Sequence, residues 1–256
     1  MSRFRIASAP LCLVLALALG CSSTKSQSAA PAAPTTARAA RAPVASIAPD
    51  QFNYKEILGD PPADDSEEHR QEVQRMLQLQ DSRTPEDVRR AKAEEVVTVF
   101  AFSDVLGSSF NPDDLPYTTA LMGDVYRQAK AVSDAAKKQW KRTRPPLAEP
   151  RIHPCVVFEN SASYPSGHAT RGIVWAMLLS EIYSDKRDAL MARGKQIGDD
   201  RFMAGMHYPS DVVAGQKLGA EIGNRLLADP AFRARLEEAK AECLRKSRTT
   251  HPAGAM

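Results

Sequence analysis

Residues 168–183, HATRGIVWAMLLSEIY, narrow most sharply what this chain can become. Ile173, Val174, Trp175, Met177, Leu178, Leu179 and Ile182 face several directions around a helix rather than lying along one stripe. A helix that is apolar on several sides belongs in the middle of a bundle, covered by other helices. The chain has the partners to cover it. Residues 66–80 carry Val73, Met76, Leu77 and Leu79 among charged neighbours. A second helix is expected from Pro85 toward Phe102, with Thr84 as its N-cap, Glu86 and Asp87 in its opening turn, and Val88, Val96, Val99 and Phe100 buried. A third should run from Pro116 to about Thr143 on the rhythm of Leu121, Val125, Ala129, Val132 and Ala136. It must stop there, because Pro145 is hostile to a helical Arg144. Helices over 186–202, 209–227 and 230–245 follow, and no useful run alternates in the period of a strand. The expectation is an all-α, compact multi-helix bundle of about seven or eight helices.

The amino terminus lies outside that bundle. MSRFRIASAPLCLVLALALGCSS joins Arg3 and Arg5 to an apolar run from Pro10 to Leu19 and closes on Gly20 and Cys21, the pattern of an export signal. The run is shorter than the roughly 20 apolar residues of a membrane span. LALGC resembles the lipobox of bacterial lipoproteins, which implies cleavage before Cys21 and lipid on its thiol. Ala18 departs from the usual leucine, and plain secretory cleavage is the alternative. Ser22 resembles the outer-membrane sorting preference. Residues 21–50 are rich in Ala, Pro and Ser, and too poor in large apolar side chains to repay the entropy of ordering. The division expected is a signal over 1–20, a tether over 21–50 and a catalytic domain over 51–256. A formal charge of only +3, without basic blocks interleaved with aromatics, argues against a nucleic-acid polymer as partner. Cys155 and Cys243 would remain in the mature chain, and the sequence leaves open whether they pair.

Three stretches carry chemistry. In KKQWKRTRPP, Lys137 and Arg144 are seven positions apart, two helical turns, so they lie along one face near the helix's C-terminal end, though such a cluster alone could be a solvated surface. In SASYPSGHATRG, Pro165 ends any preceding element, Ser166 can cap a helix, and Gly167 lets an anion approach the backbone. A helix beginning near His168 would then present free N–H groups and its positive dipole end to that anion. In DDRFMAGMHYPSD, Pro209 suits a first helical residue, so His207 stands just outside and Asp211 in the first turn. Asp211 can accept the Nδ1 proton of His207 and leave the Nε2 lone pair outward. Arg201 adds a fork of donors suited to phosphate.

Together these stretches resemble the three-part signature of the type-2 phosphatidic acid phosphatase (PAP2) superfamily. That superfamily unites bacterial class A nonspecific acid phosphatases, lipid phosphatases and vanadium haloperoxidases. The first part matches as Lys137, Arg144 and Pro145, the second as Pro165, Ser166, Gly167 and His168, and the third as Arg201, His207 and Asp211. The wider layout, over about 88–243, is similar to the soluble class A enzymes. One position departs: Asp200 stands where the family commonly has serine, and could repel substrate or hold Arg201.

The resemblance implies a metal-free phosphatase needing no cofactor, acting on small soluble phosphate monoesters through a phosphohistidine. Lys137, Arg144, Arg201 and the backbone donors of Ser166 and Gly167 would cage the phosphate. His207 would be the nucleophile, Asp211 its support and His168 the acid for the leaving group, giving a bell-shaped rate profile best on the acidic side of neutral. A homodimer is a family expectation. Location in the cell envelope, on the periplasmic side, follows from the lipobox and signal. Competing readings are a peripheral phosphatase for lipid phosphates or polyprenyl diphosphates, a vanadate peroxidase, and a non-catalytic phosphate-binding envelope lipoprotein. An apolar groove beside the cationic pocket would favour the lipid reading, and a shallow polar opening the soluble one.

Overall fold

The computed structural model describes residues 47–250, with side chains to 246. The export segment, Cys21 and residues 21–46 of the expected tether lie outside the described residues. Within them the chain forms α1 (Tyr54–Leu58), α2 (Glu67–Ser82), α3 (Pro85–Ala93), α4 (Ser103–Leu106), α5 (Pro116–Trp140), α6 (Pro145–Ala148), α7 (Gly167–Ile182), α8 (Arg187–Met203), α9 (Pro209–Ala228) and α10 (Pro230–Thr250). None of the described residues is in a strand, so this part of the chain is the expected all-α bundle. The domain starts before the boundary placed at residue 51. Ile47 is buried and its amide donates to Gln128 Oε1 at 2.9 Å, which ties residues 47–50 to α5.

Helix α7 is the axis, as its composition requires. Val174, Ala176, Leu178 and Leu179 are fully buried, and α5, α8, α9 and α10 all pack on it. Truncating one such leucine would cost about 2–5 kcal/mol. Helices α7 and α8 cross at Gly172 and Gly194, where a Cβ on Gly172 would lie 2.4 Å from the Gly194 carbonyl oxygen. Helix α9 comes as close at Gly215, whose Cβ would meet the Ser166 carbonyl oxygen at 2.4 Å. That second approach sets the start of α7 against α9 and so brings two of the sequence signatures together.

Two helices end earlier than their sequences suggest. Helix α3 begins as expected, with Thr84 and Asp87 in a reciprocal capping box, but stops at Ala93 instead of running to Phe102. Beyond it, Val96 is 84% exposed, Val97 4%, and Val99 4%, the in-and-out alternation of extended chain. The β-branched run Val96–Val99 disfavours helix, and the buried Glu94 is held by Arg193 of α8. Thr98 then caps a short 3-10 turn over Val99–Phe102. Helix α5 ends at Trp140, because Lys141 turns left-handed at φ 49°. Arg144 therefore does not share a helical face with Lys137; it is extended, just before α6. Cys155 and Cys243 do not form a disulfide, and Cys243 is buried beside the Thr118 hydroxyl.

Candidate active site

His207 ends the turn between α8 and α9 and is 1% exposed. Its Nε2 lies 3.1 Å from Arg144 Nη1, and its Nδ1 lies 3.3 Å from Asp211 Oδ2. A guanidinium can only donate, so Nε2 is the acceptor and Nδ1 carries the proton given to Asp211. Burial, followed by the charges of Arg144, Lys137 and Arg201, holds the imidazole pKa well below its usual value and keeps the ring neutral. Asp211 is fixed in turn. Its Oδ2 accepts the Tyr208 amide at 2.8 Å and the Ser163 hydroxyl, and its Oδ1 accepts Arg142 Nη1 at 2.7 Å.

The three expected cations converge although they come from different elements. Ser161 Oγ accepts both Arg144 Nη2 at 2.9 Å and Lys137 Nζ at 3.4 Å. Arg144 and Arg201 meet at one carboxylate: Glu159 Oε2 is 3.0 Å from Arg144 Nη2, and Glu159 Oε1 is 2.8 Å from Arg201 Nη2. Both arginines are 1% exposed, and Nε and Nη1 of Arg201 are buried without a hydrogen-bond partner. Buried cations left with free donors make a site short of negative charge.

Helix α7 begins as the sequence suggested, with Ser166 Oγ accepting the Ala169 amide at 3.4 Å. One expected donor is engaged elsewhere: the Ser166 amide donates to the Asp211 carbonyl at 2.9 Å. Ser166 therefore ties α7 to α9, and the backbone donors left for an anion are the amides of Gly167 and His168, both of which line the cavity. His168 Nε2 lies 3.1 Å from the Glu94 carbonyl oxygen and so carries a proton, which leaves Nδ1 turned toward Glu159 Oε1 at 3.9 Å. Burial, then Arg171, Arg201 and His207, push its pKa well down. Both histidines and all three cations thus belong to one cluster.

Asp200 does not hold Arg201. It is buried against Arg90 of α3, with Oδ2 2.9 Å from Nε and Oδ1 2.8 Å from Nη2. The sequence reading overlooked four contributors. Arg142 lies inside the first signature; it is buried, and joins Asp211 to Glu72 of α2, with Nη2 2.8 Å from Glu72 Oε2. Ser163 lies two residues before Pro165, and its hydroxyl donates to Asp211. Glu72 and Glu159 gave none, because their partners are 70 and 42 residues away.

A cavity of about 680 Å³ opens onto this cluster, walled by Lys137, Glu159, Gly167, His168 and Arg171. Beside it is an apolar cavity of about 620 Å³ with Phe100, Met122 and Trp175 in its wall. The two share Val96, Val97 and Tyr126.

Residues 117–233 match the family model of the PAP2 superfamily. A non-specific acid phosphatase of Salmonella typhimurium is 34% identical over 160 residues, 59% of this chain and 64% of that protein. One from Providencia stuartii is 30% identical over 148 residues, 56% of this chain and 59% of that one. The chain thus spans less than two thirds of the length of these curated relatives. A crystal structure of a transmembrane PAP2 type phosphatidylglycerolphosphate phosphatase from Bacillus subtilis is 18% identical, with a TM-score of 0.45 over 72% of this chain and 92% of that one. The matched segment and acid phosphatase relatives at 30–34% identity support a PAP2 superfamily domain over residues 117–233.

Proposed function

We propose that this protein hydrolyses small phosphate monoesters to an alcohol and inorganic phosphate through a phosphohistidine. The observation that carries the reading is the meeting of Arg144 and Arg201 on one anion, with His207 Nε2 3.1 Å from Arg144. The names of the Salmonella and Providencia relatives point the same way. In this mechanism the phosphoryl group takes the anion position, with Lys137, Arg144, Arg201 and the first-turn amides of α7 drawing charge from its oxygens. The Nε2 lone pair of His207 attacks phosphorus as the ester P–O bond breaks. The bonding pair leaves on the alkoxide, which takes a proton from His168 Nδ1. Asp211 stabilises the positive charge that develops on His207. His168, now neutral, accepts a proton from the water that attacks phosphorus, and the P–N bond breaks to release phosphate.

The acid side of neutral suits both rings. Burial keeps His207 neutral and nucleophilic well below the ordinary histidine range, whereas His168 needs acid, or the approach of a phosphate anion, to hold its second proton. Activity should therefore rise toward acid and fall again once His207 itself is protonated. The direct test measures phosphate release from an aryl phosphate, a nucleotide, a sugar phosphate and a lipid phosphate, beside His207→Ala. The variant should form no acid-labile labelled phosphoenzyme and lose turnover by about 10⁴-fold or more. Undiminished labelling in it would remove His207 as nucleophile.

The apolar cavity favours a second reading, hydrolysis of amphiphilic phosphates such as lipid phosphates or polyprenyl diphosphates. An alkyl chain could follow Val96 and Val97 from the cationic cavity toward Met122 and Trp175. No helix among the described residues is long and apolar enough to cross a membrane, so on this reading the substrate is met at a surface. A KM falling steadily with alkyl length supports it, and a flat series supports the soluble class. An exported lipoprotein anchored at Cys21, with residues 21–46 as tether and the body on the periplasmic side, fits either substrate. Homodimerisation is part of the same proposal.

A further inference from the structure

We propose that Glu159 is a displaceable internal anion that holds the phosphate position shut, so that a substrate must carry enough negative charge to evict it. The inference rests on the phosphatase reading for the identity of the ligand, and on the geometry for the gate. Glu159 bridges Arg144 and Arg201 through its two oxygens, at 3.0 and 2.8 Å, as two oxygens of a phosphoryl group would. The same carboxylate approaches His168 Nδ1 at 3.9 Å, so it faces both the cage and the group assigned to the leaving oxygen.

Access gives the second observation. The cavity wall includes Glu159, Lys137 and His168 but not Arg144, Arg201 or His207, and these three are each 1% exposed. The groups assigned to bind and attack phosphorus lie behind the carboxylate. No ester can meet His207 until Glu159 moves, and Glu159 can move: its side chain is 37% exposed, whereas both arginines it holds are buried. It lies in irregular chain between α6 and α7, with no helix to fix it.

Eviction exchanges one anion for another, so charge decides it. A carboxylate has one negative charge to offer the two arginines; a phosphate monoester dianion has two and a third oxygen for Lys137. A phosphodiester monoanion brings no more charge than the group it displaces. Glu159 would thereby weaken all anions, but the singly charged ones most, and would limit inhibition by the phosphate product.

The test is calorimetric binding of inorganic phosphate to the full chain and to Glu159→Gln, Glu159→Ala and Glu159→Asp, with kcat and KM for an aryl phosphate monoester and its diester. Gln keeps the shape, so the comparison survives if Ala folds poorly. Asp keeps the charge but is too short to span both arginines. Glu149→Gln, at a carboxylate paired with Arg151 outside the site, is the control. Gln and Ala should bind phosphate about tenfold or more tightly, as expected when two charge-assisted hydrogen bonds no longer have to be broken. KM should fall with them, and the preference for monoester over diester should narrow. Phosphate affinity unchanged or weakened in both variants, while the wild type turns over, overturns the gate and leaves the phosphatase reading standing. Tighter phosphate binding by proteins that hydrolyse none of the esters upholds the gate and removes the phosphatase reading.

Discussion

The two histidines of the site share a charge environment, yet they are held in opposite ways. His207 is clamped: Asp211 fixes Nδ1, Arg144 fixes Nε2, and Asp211 is itself held by Arg142, Ser163 and the Tyr208 amide. His168 has one backbone carbonyl on Nε2, and its Nδ1 faces the cavity and a half-buried carboxylate. The contrast fits the roles proposed for the two rings. A nucleophile must meet phosphorus at one point and along one line, so its orientation is best set before substrate arrives. An acid that serves leaving groups of different shape needs only an open direction and a proton. The clamp belongs to α9 and its supports, and the open half to α7 and the chain before it.

The comparison is broken most severely by loosening the clamp. In Asp211→Asn the side-chain shape is kept, but the carboxylate that selects the His207 tautomer is lost. We expect kcat to fall by about 10⁴-fold for aryl and alkyl phosphates alike, because the attack of His207 on phosphorus, which every ester shares, is what is impaired. Rapid-quench measurement of the labelled phosphoenzyme reads this directly. A loss confined to alkyl esters would show that Asp211 does not act through His207.

His168→Asn should do the reverse. Alkyl phosphates, whose alkoxide needs the proton, should lose about 10²–10⁴-fold, while an aryl phosphate with a stable leaving anion should lose much less. A plot of log kcat/KM against leaving-group pKa should therefore be steeper in the variant than in the wild type. Parallel lines would make His168 a positioning residue in the cage rather than the acid.

The same contrast explains what could be read from the sequence. Helix α7 was legible because its apolar side chains face all round, and its start because Pro165, Ser166 and Gly167 are local signals. The His207–Asp211 pair was legible because its partners are four residues apart across a helix start that Pro209 announces. Arg144 reaches the site for a reason that helical spacing missed: Lys141 reverses the chain, so Arg144 arrives on extended backbone beside Ser161. The open half was the less legible one. Glu94, at the end of α3, pairs with Arg193, and Glu159 meets Arg201 across a fold that brings α8 to it. No local pattern announces contacts 99 or 42 residues apart. Asp200 misled for the opposite reason. Next to Arg201 in sequence, it is about 100° round α8 from it and faces Arg90 instead.

Lys137 gives the smallest effect, and it separates the two halves by pH. Its Nζ donates to the Ala162 carbonyl oxygen at 2.6 Å in a buried position. Burial first, then the charge of Arg144, lowers its pKa from the usual lysine value to about 8, against the opposing pull of Glu159 and Asp211. Below that pH the ammonium is charged and available to a phosphoryl oxygen; above it the cage has one cation fewer. A bound phosphate dianion favours the charged form, so binding should draw a proton onto Lys137. Affinity for inorganic phosphate should then decline by up to about tenfold per unit as pH rises past 8. Neither histidine can produce that limb, because burial holds both rings neutral well below it. Lys137→Arg keeps the charge through the same range, so its alkaline limb should move upward while the acid side of the profile stays in place. An unmoved alkaline limb in that variant would take the titration away from Lys137 and leave the cage as the two arginines behind Glu159.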